Sequence, residues 1–164
     1  MSDETPTATA PDAVMARIGQ GIEMTQRGER ERARNLFTEV WAEVGPDGDA
    51  MHRCALAHSM ADTHDDPQEE LRWDLEALRA ADSLSDERAA AAGITSPVAA
   101  FYPSLHLNLG EVHRKLGDLD AARHHLDLGR RAITALPDNG YGRMINAGLD
   151  ALGQRIDLLE QTNT

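Results

Sequence analysis

Residues 109–129 read LGEVHRKLGDLDAARHHLDLG. Two helix-forming runs meet here at Gly117-Asp118, a pair that stops one helix and starts the next. Leu109, Val112 and Leu116 share one face of the first run, and Ala122 and Leu126 share one face of the second. Gly110 and Ala122 are small, so the two helices can approach closely. Gly117 suits a tight turn between them, and Leu126 is placed to fill the space beside whatever packs next.

A second stretch repeats this spacing. Residues 21–40, GIEMTQRGERERARNLFTEV, set Gly21, Gly28, Ala33 and Phe37 where the first has Gly110, Gly117, Ala122 and Leu126. Gly21 and Gly110 lie 89 positions apart (110 minus 21). That is about 2.6 units of a ~34-residue helical-hairpin repeat. Residues 49–82 supply a degenerate middle pair, and an insertion over residues 83–96 accounts for the remainder.

Both stretches resemble the tetratricopeptide repeat. The resemblance covers residues 13–137, strongly at the two ends and weakly in the middle. Two positions depart from the pattern. Val40 and Gly129 stand where a small residue is common late in the second helix, and Met24 and His113 stand where an aromatic is common in the first. The resemblance implies an all-α, right-handed stack of about three hairpins closed by a C-terminal helix. It also implies a concave groove, lined by the first helix of each pair, that takes protein or peptide segments. In that groove would lie His58 and Asp62 in the middle pair and Asn108 in the last. Asn108 resembles one element of a clamp for a peptide's C-terminal carboxylate. The lysine and arginine partners of that clamp are missing, so its specificity does not carry over.

Outward from these stretches the chain reads as helices throughout. Val14, Ile18 and Ile22 stripe a first helix from Pro11 or Asp12 to Arg27. A second runs from Glu29 to Val44, ended by Gly45-Pro46-Asp47-Gly48. The third, Asp49 to Thr63, is apolar nearly all round, which predicts a central position. Pro67 opens a fourth helix with Leu71, Leu75 and Leu78 inward. Ser85 caps a short helix ended by Gly93. Ser96-Pro97 opens the next, in which Pro103 kinks the first turn or shifts the start. A sixth segment runs from Leu119 to Leu136. The last helix carries one stripe, Tyr141, Ile145, Leu149, Leu152, Ile156 and Leu159, as expected of a helix closing a stack. Residues 1–10 and 162–164 read as tails around a single domain, residues 11–161.

Composition narrows the function. The chain has 164 residues, 41% apolar and only 4% aromatic. A β-sandwich, a base-stacking platform and an aromatic cage are poorly supported. One cysteine, Cys54, excludes an intrachain disulfide and fits a reducing compartment. The net charge of −12 opposes nucleic acid and anionic membrane. No apolar run approaches the ~18 residues that span a bilayer, and the N-terminus lacks the basic and apolar regions of a signal peptide. These features point to an acidic, soluble, cytoplasmic helical protein.

Catalytic chemistry has little support. No glycine-rich phosphate loop or other cofactor motif is present. Cys54, His58 and Asp62 recur at a spacing of four, which puts them on one helical face and allows a small-molecule or metal-binding sensor as the alternative function. Acidic and apolar surroundings would keep the Cys54 thiol protonated, which argues against a nucleophile. His106 and His113 share a face as packed or half-exposed histidines, and His124 and His125 fall on the outside. Ser104, Asn108, Glu111 and Lys115 form a polar stripe beside the apolar one. Hydrophobic burial does not require this stripe. With His58 and Asp62 it makes the expected binding groove, and the net charge favours a partner with basic side chains. Self-association into a homo-oligomer is a third expectation, since repeat edges stack.

Overall fold

The computed structural model describes residues 12–162. Among them the chain is all-helical, with eight α-helices and no strand. They are α1 (Ala13–Gln26), α2 (Arg30–Val44), α3 (Ala50–Ala61), α4 (Pro67–Asp82), α5 (Asp86–Ala91), α6 (Tyr102–Lys115), α7 (Leu119–Ala132) and α8 (Gly140–Thr162). The expected tails lie outside the described residues, except Thr162, which ends α8.

Local chemistry sets the boundaries. Asp12 caps α1 by accepting from the Val14 and Met15 amides at 3.1 Å. Asp49, Asp66, Ser85 and Asp118 do the same for α3, α4, α5 and α7. Gly28 and Gly117 both adopt φ +81°, in the left-handed region that favours glycine. At each, the following amide reaches back around the helix end. Glu29 N meets Met24 O at 2.9 Å, and Asp118 N meets His113 O at 3.0 Å. The two repeated stretches thus turn by the same hydrogen bonds. Pro103 shifts the start of α6. It sits in the first turn, where its missing N–H is tolerated, and a 3-10 turn over Val98–Phe101 precedes it.

Helices pack in consecutive pairs: α1 on α2, α3 on α4, α6 on α7. α3 also touches α1 and α2, α4 touches α6, and α8 lies against α6 and α7. One core cluster joins α1 to α4 with Leu105, and a second joins α7 to α8. A Cβ at Gly110 would stand 2.6 Å from Leu152 Cδ2 and 3.4 Å from the Ala122 carbonyl oxygen. At Gly21 it would overlap the Phe37 ring, so Phe37, rather than Ala33, fills that approach.

α3 is central as expected, burying Met51, Cys54, Leu56, Ala57, Met60 and Ala61. α4 differs. Its buried face is Trp73, Asp74, Ala77, Ala80 and Ala81, while Leu75 is exposed. The small alanines allow close contact that leucines would prevent. On α8 the stripe Ile145, Leu149, Leu152 and Ile156 is buried, but Tyr141 at its start remains 47% exposed.

Candidate functional site

The polar residues of α3, α4 and α6 converge between these helices. His58 and Asp62 are one turn apart on α3, Glu70 and Asp74 one turn apart on α4, and Asn108 and Lys115 on α6. Asp74 is the centre, at 1% exposure, and neither of its carboxyl oxygens has a hydrogen-bond partner within the chain. Burial, then the neighbouring Glu70 charge, push its pKa up to about 8. Asn108 comes close enough to draw it down, yet no donor reaches either oxygen in hydrogen-bonding geometry. Asp74 therefore keeps its proton in most molecules at neutral pH.

His58 Nδ1 is also buried without a partner. Burial pushes the His58 pKa down, against the pull of Asp62. Asp62 is open to solvent yet crowded by neighbouring atoms, as a side chain on the wall of a concavity is. That crowding pushes its pKa up, against His58, Arg30 and Lys115. The nearby cations pair with other carboxylates: Lys115 Nζ with Glu70 at 2.8 and 3.0 Å, and Arg30 with Asp65 at 2.6 Å while also donating to the Asp62 backbone carbonyl at 3.1 Å.

The structure thus gathers Asp62, Asn108 and Lys115 around Asp74, with His58 beside Asp62. Glu111 is drawn away to Arg114 at 2.6 Å and to Arg155 of α8 at 3.0 Å. Burial opposes its charge, but those arginines outweigh it and hold Glu111 below the usual carboxylate range. Ser104 donates to the Phe101 carbonyl at 3.0 Å and turns to a recess of about 180 Å³ between α3, α6 and the start of α8. Met51, Cys54, His58, Leu105 and Tyr141 line it too. A second recess, about 160 Å³, lies between α1 and α3 and is lined by Ile22, Thr25, Gln26, Ser59 and Asp62. Burial pushes the Cys54 thiol up to about 12, so it is neither a thiolate nucleophile nor a ready metal ligand. Among the described residues no group of three or more His, Cys, Asp or Glu side chains is placed to hold a metal ion, and Cys54, His58 and Asp62 do not form one.

Two other polar assemblies escaped the sequence reading. His52 Nε2 meets Asp12 at 2.8 Å, and Arg88 of α5 donates to Asp49 at 2.6 Å and to Asp12 at 3.3 Å. Burial opposes the Asp12 charge, but His52, the Met15 amide and Arg88 hold its pKa at about 2. The inserted helix thus ties the caps of α1 and α3 together. Between α6 and α7, His125 turns inward, contrary to expectation. Its Nδ1 lies 3.1 Å from His106 Nδ1, and its ring stacks on His113. Burial, then its histidine neighbours, push His125 down to about 4.

No protein-family model, curated protein or solved structure matches the chain. Among the described residues no helix is long and apolar enough to cross a membrane. The functional reading therefore rests on the geometry.

Proposed function

We propose that this chain is a non-enzymatic recognition module of tetratricopeptide type: a right-handed stack of the α1/α2, α3/α4 and α6/α7 hairpins, closed by α8. Its groove, lined by α1, α3, α6 and the start of α8, takes a protein or peptide segment bearing basic side chains. One observation carries the reading. His58 and Ser104 line one recess and Asp62 another, both beside first-of-pair helices, and Asn108 of α6 stands at the buried Asp74. Identical turns at Gly28 and Gly117 support the repeat. The net charge of −12 and the open Asp62 carboxylate favour a cationic partner over nucleic acid or an anionic membrane, and a cytoplasmic setting suits the single cysteine.

The test is a partner captured from source lysate, identified, and titrated against the wild type and an Asp62→Ala, Asn108→Ala double variant. Binding should weaken at least about fivefold, near 1 kcal/mol, the scale of one or two lost hydrogen bonds. The wild-type interaction should also weaken with salt. Unchanged affinity in the double variant would put the contact elsewhere.

A further inference from the structure

The two recesses differ in chemistry, and their separation is fixed by α3. Met51, Cys54, Ala55 and His58 wall one, and Ser59 and Asp62 wall the other. The midpoints of these two sets lie about six residues apart, an offset of about 9 Å along the axis of a helix rising 1.5 Å per residue, and the recesses open on different flanks of that helix, toward α6 and toward α1, an extra lateral step that a long lysine or arginine arm can span. The first recess is apolar, and its volume of about 180 Å³ suits one branched or aromatic side chain. At its rim stands Tyr141, 47% exposed at the head of an otherwise buried stripe. The second carries the Asp62 carboxyl, with Ile22 exposed beside it.

A polyproline-II segment rises about 3.1 Å per residue with three residues per turn. Its side chains three positions apart therefore share a face and stand about 9 Å apart. A pleated strand places such side chains on opposite faces and fits less well. We infer that the groove reads an extended, polyproline-II-like peptide bearing an apolar side chain and a lysine or arginine three positions apart. The apolar group enters the recess at Tyr141, Leu105 and Cys54, and the cation meets Asp62. The basic requirement follows from charge: Arg30 pairs with Asp65 and reaches only the backbone carbonyl of Asp62, and Lys115 pairs with Glu70, so among the described residues no cation forms an ion pair with the Asp62 carboxyl. The apolar requirement follows from the two rim hydrophobes, which gain burial only when something covers them. This inference rests on the groove reading above.

Displayed random dodecapeptides, selected on the wild-type chain, test it. The expected enrichment is an apolar residue and a Lys or Arg at a spacing of three. Tyr141→Ala and Asp62→Lys both alter exposed positions, and a cation near the C-terminal end of α3 suits the helix dipole. Melting temperatures are measured for both, so that a loss of binding is read only in a folded variant. A synthesised consensus peptide should bind each variant at least tenfold more weakly. Selection on Asp62→Lys should lose the basic preference, and selection on Tyr141→Ala the apolar one. Enriched peptides without that spacing, or with acidic residues in place of basic ones, would overturn the inference and leave the groove reading standing. So would a consensus peptide indifferent to both substitutions. No enrichment from the library at all would overturn the groove reading and this inference together.

Discussion

Two polar assemblies sit six residues apart on α3 and are completed differently. At its start, Asp12, Asp49, His52 and Arg88 satisfy one another across α1, α3 and α5. Further along, His58 and Asp74 carry buried polar atoms with no hydrogen-bond partner among the described residues. A buried group left unsatisfied costs about 1–3 kcal/mol. The first assembly is a clasp that makes the fold more stable. The second spends stability, and it lies beside the two recesses and the open Asp62. The contrast is the reason the proposed contact is placed at the middle of α3 instead of its start.

The largest expected effect tests the unfinished assembly. Asp74 has a folded pKa of about 8 against an ordinary value of 3.8. The folded state therefore holds the extra proton, and the stability tied to it is full below the unfolded value and lost as pH rises toward 8. Asp74→Asn should remove that loss. In urea melts the variant should be more stable than the wild type at pH 8, with the gap growing by about 1.4 kcal/mol per pH unit from pH 5. A pH-independent gap would mean that Asp74 is already ionised and paired.

The clasp should respond with the opposite sign. The depressed Asp12 pKa means its stabilisation is present above the unfolded value and is lost as pH falls toward 2. Arg88→Ala should cost about 1–2 kcal/mol at pH 7, discounted for partial exposure, and less at pH 2. An equal cost at both pH values would reduce Arg88 to a packing role.

The histidine pair provides a smaller, intermediate case. With His125 near 4 when folded, stability is lost as pH falls from about 6.5 toward 4. His125→Leu should flatten that acid limb by about 1 kcal/mol at pH 5, measured by thermal unfolding. An unaltered limb would show that His106 and His125 titrate as exposed groups do.

Much of this was legible in the sequence because helical spacing is short-range. The turns at Gly28 and Gly117, the central α3 and the shared face of Asn108 and Lys115 follow from residue type and a period of 3.6. What escaped depends on partners distant in the chain. Leu71, Leu75 and Leu78 suggested the inner face of α4, but close helix contact prefers Ala77, Ala80 and Ala81, and that rotation carries Asp74 inward. Arg88 gave no local sign that it would reach caps 39 and 76 positions away. His125 looked external until α6 placed His106 and His113 beside it.

The central claim is that the α1, α3 and α6 face receives an extended basic segment. It is tested most directly by amide chemical-shift mapping, titrating a library-selected peptide into isotope-labelled protein. The account predicts shifts concentrated at Ile22, Ser59, Asp62, Ser104, Asn108 and Tyr141. Shifts confined instead to the outer helices, around Trp41, Arg72 and Trp73, where a recess of about 380 Å³ lies between α2 and α4, would contradict it.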